Sequence, residues 1–220
     1  MLRCANIFLS WIFACRTVGR FGGAYLSIPF MIWFIRIDWY SMFIISIPVY
    51  AFLVIPFLVS LGGKETEGSV LSIGAIDLGL FLFVYCVGHI GYLAGYNTWM
   101  AIALIANVAI CDLVAYLLGG KGAPPWKDHV VAYCAAAPLT VILCLILSGW
   151  TTIPTKHSIA LGLLIPLLVR IGRHTIQCIE SDLKITPERT LPGRGGILDS
   201  VASSVYAAPV VFHYIRYFLT

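Results

Sequence analysis

The stretch 98-TWMAIALIANVAICDLVAYLL-118 carries one charged side chain, Asp112, and one amide, Asn107. At 1.5 Å per residue a helix over this stretch is about 30 Å long, the thickness of a bilayer's hydrocarbon core. Gly95-Tyr96-Asn97 precedes it and Gly119-Gly120 follows it, residues that favour turns. The stretch therefore reads as a membrane-spanning helix, and the rest of the chain is of the same kind. Of the 220 residues 60% are hydrophobic and 11% charged, with a mean hydropathy of +0.93, against about 25% charged in soluble domains. The expectation is an all-α polytopic integral membrane protein.

Outward from this stretch, six further apolar runs bring the expectation to about seven transmembrane helices. A short run at 5–15, ending before Arg16 and Arg20, reads as an interfacial helix. It resembles a signal peptide but lacks a small-x-small cleavage site and is expected to be retained. The first span covers Phe21–Ile35, with a minimal turn at Arg36-Ile37-Asp38. The second, Trp39–Leu61, is expected to kink at Pro48 and Pro56. After a polar loop at 62–69, the third covers Gly74–Ala94, with Asp77 near its start and His89 and Tyr92 near its end. Thr98–Leu118 is the fourth. The segment Gly119–His129 reads as a loop, Val130–Ser148 as the fifth span, Ser158–Ile171 as the sixth and Ser200–Leu219 as the last. No repeat or linker is evident, so 1–220 reads as a single membrane domain.

The polar segment Gly172–Ser200, GRHTIQCIESDLKITPERTLPGRGGILDS, stands out between the last two spans. Ionisable groups at a membrane are expensive and tend to be functional, and the Pro-Gly-rich core Leu191–Gly196 permits a tight turn with N–H groups aimed at a ligand. The segment reads as a loop that binds a phosphate-bearing substrate. With it on the cytoplasmic side and seven spans alternating, every Lys and Arg except Arg36, Lys156 and Arg216 falls inside, as the positive-inside rule requires. Asp112 then lies about 9 Å from the inner end of its helix. Asp199 opens the last span on the same side, an arrangement suited to a metal-bound nucleotide meeting a lipid headgroup.

Each candidate has a plainer reading beside it. Asp199 is a helix N-cap or a metal ligand; Asp112 is a charge paired with a neighbouring helix or a second ligand. Glu180 and Asp182 are solvated charges or ligands. Arg189 and Arg194 are inside anchors or bidentate phosphate contacts, and Lys121 and Lys127 mark the inner face or meet an anionic substrate. His89 reads as a hydrogen-bonded interior group. The 7 Cys form no CxxC pair and read as small buried apolar residues. A catalytic triad, a P-loop and a nucleic-acid-binding module are absent from the sequence.

The run Leu191-Pro192-Gly193-Arg194-Gly195-Gly196-Ile197-Leu198-Asp199 resembles the second half of the C-terminal signature of the phosphatidate cytidylyltransferases, L-[PG]-x-H-G-G-x-x-D-R-x-D. Tyr206–Tyr214 resembles that family's last helix, and Asp112-Leu113-Val114-Ala115-Tyr116, with Gly120-Lys121 beyond, its D-x-x-A-Y…G-K segment. The similarity covers 38–219, with 1–37 as divergent N-terminal helices. Arg194 stands for the family's His, Ser200-Val201-Ala202 for its R-x-D, and Gly172-Arg173 for an upstream G-D.

The resemblance implies transfer of CMP from CTP to phosphatidate, giving CDP-diacylglycerol and pyrophosphate. It implies Mg²⁺ held by Asp199, Asp112, Asp182 and Glu180, with Asp199, Asp112 and Arg194 as catalytic residues. Lys184, Arg189, Gly193, Gly195, Gly196 and Lys121 would bind substrate. CTP, a lipid phosphate and membrane lipids are the implied partners; nucleic acid is not, and a homodimer is left open. The implied location is a bacterial inner membrane with the site facing the cytoplasm. A CTP-dependent lipid kinase and a non-catalytic relative that binds lipid or a partner are the alternatives.

Overall fold

The computed structural model describes residues 29, 31–49, 74, 78–118, 125–182 and 201–219, and among them every regular element is helical. In chain order these are α1 (Tyr40–Val49), a π-helical stretch (Leu80–Cys86), α2 (Val87–Tyr96), α3 (Thr98–Leu118), α4 (Pro125–Thr151), α5 (Thr155–Asp182) and α6 (Ala207–Phe218). The chain divides into two compact units, Met1–Gly88 and His89–Thr220.

In the first unit residues 31–36 are helical and the chain reverses at the expected Arg36-Ile37-Asp38 turn. Asp38 sits at φ 52°, a left-handed conformation that Asp tolerates better than most residues. The Trp39 N–H donates to Phe34 O at 3.0 Å. Helix α1 buries Phe43 fully, and its ring stacks on Tyr85 at 5.5 Å while Tyr85 stacks on Phe81 at 5.0 Å. The remainder of the second expected span, with Pro56, and Asp77 lie outside the described residues.

The second unit is built on three helices long and apolar enough to cross a membrane: Thr98–Leu118, Val130–Thr151 within α4 and Thr155–Ile179 within α5. The chain is a membrane protein, and its packing is sorted accordingly. Ala101, Ala103, Asn107, Cys111 and Asp112 of α3 face inward, while Ile102, Ile105, Leu113, Ile142, Ile146, Leu163 and Leu167 are exposed. In lipid, association gains from close packing of small residues and from hydrogen bonds, since the exposed apolar face is already solvated.

Local chemistry sets the corners. Asn97 alone joins α2 to α3, its Oδ1 accepting from the Trp99 N–H at 2.9 Å and its Nδ2 donating to Trp150 O at 3.0 Å; this is an N-cap. The α4–α5 corner places Thr152 at φ 58° and then Pro154, which blocks continuation of α4. Both long helices carry an internal proline, Pro138 and Pro166. Pro166 has no N–H for the carbonyl of Gly162, and the Thr140 hydroxyl lies 2.7 Å from that oxygen. The same hydroxyl lies 3.0 and 2.9 Å from Ala136 O and Ala137 O of its own helix, so the freed carbonyl is the nearest of three acceptors, and a donor from a neighbouring helix is the usual condition for proline inside a membrane helix. The approach is close: a Cβ on Gly162 would stand 2.6 Å from Val141 Cα.

Three expected boundaries are corrected. Helix α4 begins at Pro125 rather than after His129, because proline's fixed φ suits a first helical position. Helix α5 does not end at Ile171 but runs to Asp182, so Arg173, Glu180 and Asp182 stand on a helix and the polar segment begins as one. No helix breaker other than Gly172 interrupts this extension, and Ile176 is buried within it. The last span is not one helix: residues 203–206 form turns before α6. The Ser203 and Ser204 hydroxyls take other partners there, Ser204 Oγ bonding Val201 O at 2.8 Å, a competition that Ser side chains offer to helical bonding. Among the free cysteines Cys86 and Cys111 are buried as expected, whereas Cys134 and Cys178 are exposed.

Candidate functional site

Asp112 is the buried charge of α3, and two other elements reach it. The Ser203 hydroxyl donates to Asp112 Oδ1 at 2.7 Å, and Arg173 Nη1 of α5 donates to the same oxygen at 3.2 Å. The partners are distant in sequence, and three features bring them together. Asp112 lies six residues before the end of α3, and Arg173 lies on the extension of α5 that the sequence reading assigned to a loop. Gly172 admits the turn: a Cβ there would stand 2.7 Å from Ala202 O, so only glycine lets residues 201–206 lie against α5.

The two charges differ in their access to solvent. The Asp112 side chain is 9% exposed and that of Arg173 29%. Carboxylate and hydroxyl are inside, and the guanidinium spans from them to the surface. Arg170 lies one helical turn earlier on α5 and is half-buried. Asp182 is exposed on α5, about 13 Å further along the helix axis than Arg173. It is not drawn to Asp112 by the fold.

His89, expected as an interior group, is fully buried, with Phe212 edge-on at 5.1 Å. A cavity of about 20 Å³ lies further along the bundle, lined by Asn107, Cys144, Thr151 and Ser158 among others. It suits one water and excludes a nucleotide. Asn107 Nδ2 donates to Ala103 O at 2.7 Å.

The other candidates lie outside the described residues: Lys121, Lys184, Arg189, Gly193, Arg194, Gly195, Gly196 and Asp199, and the side chain of Glu180. Asp112 Oδ1 accepts from Ser203 and from Arg173, whose guanidinium stands 3.2 Å away, while Asp199 and the Glu180 side chain, expected beside it as metal ligands, lie outside the described residues. No group of three His, Cys, Asp or Glu side chains among the described residues could hold a metal. What the site offers is a partly exposed guanidinium held by a buried carboxylate. Sequence reasoning gave Arg173 no role, although its place beside Gly172, next to the end of an apolar run, was a signal.

Comparison with known proteins adds the wider context. The model of the cytidylyltransferase family matches residues 5–218. The uncharacterised protein YnbB of Escherichia coli (strain K12) is 26% identical over 209 residues, covering 88% of this chain and 70% of that one. No solved structure matches.

Proposed function

The chain belongs to the cytidylyltransferase family, that of the phosphatidate cytidylyltransferases, and from this premise we propose that it makes CDP-diacylglycerol from CTP and phosphatidate. In this reaction an oxygen of the lipid phosphate attacks the α-phosphorus of CTP. The bond from that phosphorus to the bridging oxygen breaks, and pyrophosphate leaves. Such a transfer needs in-line positioning and neutralisation of charge more than a covalent nucleophile. The observation that supports the reading is the charged centre Asp112–Arg173–Ser203 at one end of the spans, where a buried carboxylate and a cation would otherwise be a costly arrangement. Asp199 and Arg194, with Gly193, Gly195 and Gly196, complete the proposed site on the resemblance of their segment to the family signature.

The test is formation of CDP-lipid from radiolabelled CTP and phosphatidate by the purified full chain in detergent–lipid micelles, with and without Mg²⁺. CDP-diacylglycerol and pyrophosphate are the expected products; a phosphorylated lipid with CDP released would instead identify a kinase. Asp199→Asn is expected to abolish turnover in protein that still inserts, and normal turnover in that variant would remove Asp199 from the mechanism. A second reading, a lipid-binding relative without catalysis, draws on the ion pair that engages Asp112. Folded protein that yields no product from several lipid phosphates would favour it.

A further inference from the structure

Arg173 is built to meet an anion. Its guanidinium has five N–H donors in one plane, and among the described residues its hydrogen-bond partner is Asp112 Oδ1, through Nη1. That single contact is made to an oxygen already taken by Ser203. A pair serving stability alone would gain more from the two parallel bonds of the fork geometry. Asp112 is nearly sealed, while the Arg173 side chain is 29% exposed, so part of it can be reached from outside the bundle. Depth agrees: Arg173 lies 18 residues beyond Thr155 on α5, about 27 Å along the axis. That distance is close to the hydrocarbon thickness, and Arg173 stands six residues, about 9 Å along the axis, from the end of the span Thr155–Ile179, so its long side chain would reach toward headgroups at that end.

We propose that Arg173 is a phosphate-binding residue of the transfer reaction, aimed by Asp112 and Ser203, which act through it as positioning residues. The proposal rests on the cytidylyltransferase reading. The ligand chemistry is a phosphate monoester or polyphosphate, which a lipid headgroup and the nucleotide both provide. Guanidinium suits it better than ammonium, because its planar donors match two phosphate oxygens at once.

The experiment measures binding without turnover. CTP and dihexanoyl phosphatidate are titrated separately into the purified full chain in micelles, with cytidine and dihexanoylglycerol as phosphate-free controls. The proteins are the unaltered chain, Arg173→Gln, Arg173→Lys, Ser203→Ala and the paired Asp112→Asn/Arg173→Gln. The paired variant keeps two hydrogen-bonding side chains without the charges, and it carries the test if Arg173→Gln alone does not fold. Arg173→Gln or the paired variant is expected to lose roughly tenfold in affinity for one phosphate ligand, with Arg173→Lys intermediate and Ser203→Ala weakened for that ligand alone. Loss in the CTP arm assigns the nucleotide's phosphates, and loss in the phosphatidate arm the lipid's. Unchanged affinity for both ligands in a folded variant, or no binding by the unaltered chain, overturns the proposal; a purely structural pair would lower the melting temperature and leave affinity alone. The two readings can fail separately. CDP-lipid formed with affinities indifferent to Arg173 sinks this inference only, whereas Arg173-dependent binding without CDP-lipid sinks the reaction.

Discussion

At one end of the second unit Trp99 stacks on Trp150 at 5.1 Å and His157 Nδ1 lies 2.9 Å from the Tyr214 hydroxyl, with Phe218 beside Tyr214 at 4.8 Å. At the other end a carboxylate, a guanidinium and a hydroxyl meet at a single oxygen. The same helices, α3 and α5, supply both ends. Amphipathic rings suit the membrane interface and anchor a helix end there without further specificity. Two charges and a hydroxyl that converge from three parts of the chain demand one geometry. The contrast teaches that anchoring tolerates approximate placement, whereas the charged end depends on details such as the missing Cβ of Gly172.

The strongest way to break the comparison is Gly172→Val. The new side chain would drive residues 201–206 from α5 and take Ser203 away from Asp112. We expect at least about a hundredfold loss of CDP-lipid formation, the cost of misplacing groups by about an ångström, while the stacked rings at the other end keep their tryptophan fluorescence. Loss of the fluorescence signature as well would show that the two ends are not independent. Thr140→Val strikes the midpoint. It leaves the Gly162 carbonyl, freed by Pro166, with no hydroxyl, and should cost about 1–3 kcal/mol in denaturant unfolding, loosening both ends alike. An unchanged unfolding midpoint would mean that the carbonyl finds another donor. The smallest effect is expected at the aromatic end, where Thr152 holds φ 58°. A β-branched residue is strained there, so Thr152→Gly should raise stability by about 0.5–1 kcal/mol with turnover unaltered. A loss of stability would show that the Thr152 side chain contributes more than its backbone strain costs.

The helical fold was legible because the apolar stretches are long. Thr98–Leu118 has the boundaries expected of it, opened by an Asn cap. Where charge and helix coincide, the sequence misleads. Gly172-Arg173-His174 looked like the start of a loop, yet the helix continues, since a guanidinium that finds a carboxylate need not leave the bundle. The break at Ser203–Tyr206 was hidden for the opposite reason, being flanked by apolar residues that fit a continuous span. Asp112 could be recognised as unusual from its position alone. Its partners could not, because the contacts form across sequence separations that no local period or motif encodes.

Those separations bear on how the protein is made. Arg173 follows Asp112 by 61 residues and Ser203 by 91. At a synthesis rate of about 5–20 residues per second, α3 emerges on the order of 3–12 s before its cation exists. An aspartate at the centre of an inserting helix costs about 2.5–3.5 kcal/mol, and its position nearer the helix end lessens that cost without abolishing it. During this interval α3 lacks the contacts that Arg173 and Ser203 later make to Asp112. The arrival of α5 then converts the liability into an anchor, so the order of synthesis makes the fate of an early helix depend on a late one.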